Sequence, residues 1–187
     1  MRDLAGVSAH DWVSGVRTHY LQAGSGPPLL LLHGFLGYSF SWRYNLLPLS
    51  QICTVYAPDL PGAGYSERDI QLDSDLEVRA NYMIRFMDSM RMDRVDVLGT
   101  SLGGALAAMI AATCQSRQPR RVRSLILVDP VNPWSAHGTY LTRIGATPFG
   151  TLSIRCLLPA IKKMQSFFLK RMYGDPRRIP PGTLAGC

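Results

Sequence analysis

Val95-Asp96-Val97-Leu98-Gly99-Thr100-Ser101-Leu102-Gly103-Gly104-Ala105 is the stretch that decides the fold. It passes from an apolar, β-branched segment through a turn centred on a serine into an alanine-rich run that ends at Ala112. β-Branched residues favour strands and alanine favours helices, so the reading is strand, sharp turn, helix. A G-x-S-x-G turn of this kind holds its serine in a strained backbone conformation and lifts the hydroxyl clear of the sheet. Gly99 and Gly103 stand where side chains would collide in so sharp a bend. The bare pattern arises by chance in roughly one chain of this length in twenty. The strand before it and the helix after it give it weight.

Working outward, residues 28–32 form a continuous apolar run, as expected of a strand buried on both faces of a parallel sheet, and lead into His33-Gly34-Phe35. Upstream, Trp12-Val13 and residues 16–21 read as two strands of a hairpin around Ser14-Gly15. Downstream, Ser41 is placed to cap a short helix over 42–47 that Pro48 ends. A strand follows over 52–57, then the glycine-rich loop Asp59-Leu60-Pro61-Gly62-Ala63-Gly64-Tyr65-Ser66. Ser74-x-x-Glu77 is a capping box opening a helix to about residue 90. Its apolar face (Leu76, Ala80, Met83, Met87, Met90) reads as core packing, not as a metal or partner site. Residues 94–98 form the strand before Ser101, and 122–128 a sixth strand. Gln118-Pro119 closes the helix after Ser101, with Arg117, Arg120 and Arg121 near its negative end. Strands alternating with helices predict a mostly parallel, doubly wound α/β sheet over residues 1–130. After Asp129 the alternation stops, and residues 131–187 carry prolines, glycines and broken helical patterns.

Bulk properties set the limits. The 187 residues suit one sizeable core, and 47% apolar with 18% charged residues describes a globular chain. No apolar run reaches the ~18 residues of a membrane span, and the first residues lack the apolar core of a secretory signal. Cys53, Cys114, Cys156 and Cys187 are scattered, suggesting neither a disulfide framework nor a zinc site, so a cytoplasmic location is the default expectation. The net charge of +7 is uneven: residues 1–116 hold 8 Lys/Arg against 11 Asp/Glu, residues 117–187 hold 12 against 2. No base-stacking motif or groove-reading helix accompanies the basic part, so no nucleic-acid partner is expected.

Three motifs in order resemble the α/β-hydrolase superfamily, over residues from about 12 to 175. His33-Gly34-Phe35 resembles its oxyanion loop, residues 59–66 the loop after its fourth strand, and Gly99 to Gly103 its nucleophile elbow. The resemblance implies that Ser101 attacks a carbonyl carbon while the backbone N–H groups of Phe35 and Leu102 hold the developing oxyanion. A histidine would take the serine proton, and an Asp or Glu would orient that histidine. It implies no metal and no organic cofactor. Serine at the nucleophile position points away from the branches that use aspartate there, and toward ester, thioester, amide or activated carbon–carbon bond hydrolysis. Residues 131–187 would be the helical cap.

The family pattern continues into two further strands, the last followed by the catalytic histidine. Nothing resembling them follows residue 150, so the chain reads as a member truncated before its last two core strands, with no counterpart of that histidine. Of the four histidines, His10 and His19 read as surface or hairpin residues, and His33 as holding the oxyanion loop or, less readily, as a base. His137 either faces the pocket as a base or is a polar loop residue. Asp129 either orients a histidine or finishes its strand. The sixth strand would then be an uncovered apolar edge, inviting self-association.

The cap segment interleaves Leu157, Leu158, Ile161, Met164, Phe167, Phe168 and Met172 with Lys162, Lys163, Lys170 and Arg171. This amphipathic pattern reads as a cap helix on the body, as a hydrophobic pocket roof, or as a membrane-surface helix. Trp42, Tyr65 and Trp134 would line such a pocket or only pack. The expected substrate is a small hydrophobic ester or related carbonyl compound. The alternative is a non-catalytic binding protein or inactive remnant of hydrolase fold.

Overall fold

Leu29, Leu30, Leu31 and Leu32 are all buried, and they divide between two apolar cores. Successive side chains of a strand point to opposite faces, so such a run is stable only where both faces are covered. Leu30 and Leu32 join Val95, Val97, Met83, Phe86, Leu106 and Ile110 on one side. Leu29 and Leu31 join Val55, Ala57, Trp42 and Leu46 on the other. At about 25 cal/mol per Å² of apolar surface withdrawn, each such leucine contributes on the order of 2 kcal/mol.

The computed structural model describes residues 7–35, 37–68, 75–115 and 120–132, together with Phe167 and Arg177. The elements are β1 (Ser8–Val13), β2 (Val16–Ala23), β3 (Pro28–Leu32), a 3₁₀ turn (Ser39–Trp42), α1 (Leu46–Ser50), β4 (Thr54–Pro58), α2 (Leu76–Ser89), β5 (Val95–Thr100), α3 (Leu102–Gln115) and β6 (Val122–Val128). They build one six-stranded sheet in the order β1-β2-β4-β3-β5-β6. β1 and β2 form an antiparallel hairpin, and β2 runs antiparallel to β4. β4, β3, β5 and β6 are parallel to one another, giving the mostly parallel, unclosed α/β sheet expected. The chain divides into two compact units, Met1–Pro133 and Trp134–Cys187. The expected cap therefore lies almost wholly outside the described residues, with Trp134 and His137.

Several local expectations are corrected. Ser41 caps no helix: a 3₁₀ turn occupies residues 39–42, and the helix comes later, over Leu46–Ser50. Pro48 sits inside α1 instead of ending it. As the third residue, its missing N–H is one that no helical carbonyl would have taken. The N-cap of α2 is Asp75, whose side chain accepts the Glu77 N–H at 2.7 Å, not Ser74. Trp42, 9% exposed, packs in the core, the second of the two roles expected for it. Arg121 does more than face a helix end: it donates to Met92 O and pairs with Asp88, tying the entry to β6 onto the end of α2.

Among the described residues β6 pairs only with β5, and Leu125, Ile126, Leu127 and Val128 are 39–48% exposed in succession. Its register against β5 runs Gly99↔Leu127 and Thr100↔Val128, which sets the end of β6 beside the turn at Ser101.

Backbones meet most closely at that turn. A Cβ on Gly99 would collide with the carbonyl oxygen of Gly103, and one on Gly103 with the carbonyl of Leu32. At Gly62, by contrast, φ is +80° but nothing stands within 4 Å. Gly62→Ala should therefore cost only the left-handed backbone penalty, about 1 kcal/mol. Gly99→Ala and Gly103→Ala should each cost more than about 3 kcal/mol, because backbone must move. Urea unfolding of the three variants checks the ranking.

Candidate active site

Ser101 follows β5 and precedes the first residue of α3. Its φ of 53° lies in the left-handed region that few non-glycine residues enter. Hydrogen bonds hold it there. Its N–H donates to Val128 O at 3.0 Å, and its carbonyl accepts from Gly104, Ala105 and Val131 at 3.0, 3.2 and 3.1 Å. Neighbouring strand, following helix and post-β6 chain thus all fix this one residue. The Ser101 side chain remains partly accessible.

The loop after β3 comes directly to it. A Cβ on Gly34 would stand 3.3 Å from Ser101 Cβ and 3.8 Å from Ser101 Oγ, so the hydroxyl lies against that loop. Gly103 lets the start of α3 lie on the carbonyls of Leu32 and His33. Leu102 opens α3, where an N–H has no partner one turn back and faces out along the positive end of the helix. Phe35 is 72% exposed at the same end of the sheet. Gly34, next to Phe35, and Leu102, next in sequence to Ser101, flank the serine on either side. A hydroxyl at a helix N-terminus, against a neighbouring loop, can attack an electrophilic carbon where nearby N–H groups stabilise the resulting negative charge.

His33 supports this loop. Its Nδ1–H donates to Gly34 O at 2.9 Å, and its Nε2 accepts the Leu60 N–H at 3.0 Å. Both ring nitrogens are engaged, which fixes the neutral tautomer and rivets the oxyanion loop to the loop after β4. This matches the loop-holding reading and leaves the ring no free nitrogen to act as a base. Burial, the largest influence, pushes the imidazole below its ordinary 6.5, against smaller raising effects of the Gly34 bond and the Asp59 charge.

One step further lies a group that motif reading left without a role. Asp59 is fully buried, accepts the N–H groups of Ser39 (2.6 Å) and Tyr65 (2.8 Å), and pairs with His19 Nδ1 at 2.8 Å. Burial alone would raise its carboxyl, but the bonds from His19, Tyr65 and Ser39 outweigh it and hold the group below 3.8. His19 is a hairpin residue, paired with His10 across β1 and β2, and it is buried at 4% exposure, not at the surface; His10 does lie at the surface. His19 and Asp59 stand forty positions apart, and only the register Tyr20↔Pro58 brings them together.

Asp129 ends β6 beside the elbow, exposed, with φ of 47°. Tyr65 is 53% exposed and packs edge-on against His19 and Tyr38. Among the described residues, no group of three or more His, Cys, Asp or Glu could hold a metal ion, and no helix is long and apolar enough to cross a membrane.

The family described as alpha/beta hydrolase fold matches residues 27–155, well over half of the chain. The chain belongs to the α/β-hydrolase family. This α/β-hydrolase is 39% identical over 120 residues to the dihydrolipoyllysine-residue acetyltransferase component of the acetoin cleaving system of Cupriavidus necator, covering 64% of the chain and 31% of the relative. It is 32% identical over 118 residues to the 2-hydroxymuconate semialdehyde hydrolase of Pseudomonas sp. strain CF600, covering 62% of the chain and 40% of the relative. The wild-type Cfl2 structure from Burkholderia cenocepacia superposes with a TM-score of 0.77 at 23% identity, over 96% of the chain and 63% of that protein, a likeness of fold. The matched parts thus span less than half the length of these curated relatives.

The His33 rivet predicts a pH dependence. With its folded value depressed, the unfolded chain binds the proton more readily, so stability is fully present above about pH 6.5 and falls as the pH drops below it. Asp59 adds a further loss below its ordinary 3.8. The urea midpoint should fall between pH 7.5 and 5, and His33→Gln should remove much of that fall. His10, lowered by burial and then by His19, accounts for a remainder of the same sign.

Proposed function

We propose that Ser101 is the nucleophile of a hydrolase that acts on a small hydrophobic ester or related carbonyl compound. The observation that carries this reading is the Ser101 turn itself, with φ of 53° and the hydroxyl against Gly34. A strained serine at a solvent-facing strand end gains nothing for packing, and it is the geometry that nucleophilic attack needs. Serine oxygen attacks the carbonyl carbon, and the N–H groups of Phe35 and Leu102 stabilise the oxyanion, each worth a few kcal/mol of barrier. The relative named as a semialdehyde hydrolase makes hydrolysis of an activated carbon–carbon bond the second substrate class.

The proton must go to a base that the described residues do not supply. His33 has both nitrogens bonded, and His19 is held by Asp59 and Ser8. His137 falls outside the described residues. Asp129, exposed after β6 beside the elbow, is the residue we assign to orient such a base, its other role being to finish the strand end. The 187-residue chain alone is therefore read as impaired, because a serine hydroxyl without a base is a poor nucleophile near neutral pH. The alternative, a binding protein of hydrolase fold, gives no reason to keep the strain at residue 101.

Hydrolysis of p-nitrophenyl butyrate tests this. Turnover should be slow, should drop further in Ser101→Ala, and, with the protein-free imidazole rate subtracted, should rise at least about tenfold on adding imidazole to the serine form only. Imidazole acceleration that persists in Ser101→Ala, or fast serine-dependent turnover without imidazole, contradicts the reading.

We further propose that β6 recruits a second copy through its open edge. Light scattering should show mass rising with concentration, and Leu125→Lys with Leu127→Lys should hold the chain monomeric. A monomer at all concentrations contradicts this.

A further inference from the structure

Ser8 stands at the start of β1, exposed and on the far side of the sheet order from Ser101. Its Oγ lies 2.8 Å from His19 Nε2, and His19 Nδ1 lies 2.8 Å from Asp59 Oδ2. The direction of these bonds follows from chemistry. Asp59, ionised, can only accept, so His19 Nδ1 carries the proton and donates it. Nε2 is then the acceptor, and the Ser8 hydroxyl donates to it. Hydroxyl, imidazole and buried carboxylate are linked in the order that turns a serine into a nucleophile.

The imidazole is also fixed. His19 N–H donates to Ser66 Oγ at 2.9 Å, and its carbonyl accepts the Asp59 N–H at 2.8 Å. The ring packs edge-on against His10 and Tyr65 at centroid distances of 5.0 and 5.1 Å. Asp59 is held in turn by the Ser39 and Tyr65 amides. The base therefore does not need to find its serine, and the serine alone faces water.

We propose that Ser8 is a second acyl-accepting serine, which takes an acyl group from an activated carboxylic ester independently of Ser101. Ser8 Oγ attacks the carbonyl carbon and its proton passes to His19 Nε2. The bond from that carbon to the leaving oxygen breaks, and the phenoxide takes the proton from His19 as it departs. A Ser8 acyl ester and a phenol result, one acyl group per chain.

The experiment is acetylation of the 187-residue chain and of Ser101→Ala with p-nitrophenyl acetate, with sites and rates read by peptide mass spectrometry. Ser25, exposed on a loop, is the internal standard. Ser8 should acetylate at least about tenfold faster than Ser25 in both proteins. The ratio should fall to about one in urea and in His19→Gln shown to be folded by circular dichroism. Equal rates at Ser8 and Ser25 in the folded chain overturn the proposal. So does a ratio that survives unfolding, since the reactivity would then be local to the sequence; that arm decides the matter even if His19→Gln fails to fold. A failure at Ser101 alone would count against the elbow as nucleophile and leave Ser8 untouched.

Discussion

Three stretches of backbone meet around residue 101, so tightly at Gly99 and Gly103 that only glycine fits there. Gly99 meets the carbonyl of Gly103, Gly103 meets the carbonyls of Leu32 and His33, and Gly34 meets Ser101. This close approach is what the rest of the structure depends on. It holds Ser101 in a left-handed conformation that costs about 1–2 kcal/mol for a residue with a side chain. Four hydrogen bonds at the Ser101 peptide groups offset that cost, drawn from β6, the first turn of α3 and the chain after β6. The strain is a consequence of sheet and helix meeting at one point. The leucines of β3 and the valines of β5 serve that meeting by burying the central strands on both faces.

A second tier of contacts fixes the loop opposite. His33 joins the loop after β3 to the loop after β4 through one imidazole with both nitrogens engaged. Asp59 holds that second loop through two backbone amides and His19. A buried carboxylate is tolerated only when its lone pairs are satisfied, and here the partners come from three separate parts of the chain. Buried polar groups of this kind do little for net stability and much for uniqueness, because a shifted loop would leave a charge unpaired. The placement of the loop after β3 thus rests on His33, Asp59 and His19 as well as on its contact with Ser101.

Legibility in the sequence followed the physics of each element. Residues 28–32 were readable to the residue as an unbroken apolar run bounded by a turn, and 122–128 as a segment rich in valine and isoleucine that ends at Asp129-Pro130. The elbow was readable because its glycines are demanded by contact and not only by flexibility. Residues 39–50 were not, since Ser39, Ser41 and Asn45 offer competing turn starts and Pro48 is as acceptable in a first helical turn as at a helix end. Ser74 and Asp75 are both good caps one position apart, and local propensity cannot choose between them. The His19–Asp59 contact was invisible for another reason: it exists only through the antiparallel register of β2 against β4, which no local pattern encodes.

In the proposed reaction, Ser101 Oγ and the amides of Phe35 and Leu102 converge on one reacting group. The most direct test is a crystal structure of the chain after treatment with a small fluorophosphonate. The account predicts phosphorus bonded to Ser101 Oγ, with its free oxygen about 3 Å from both amide nitrogens. An adduct whose oxygen points into solvent, or a chain phosphonylated elsewhere with Ser101 unmodified, would contradict it.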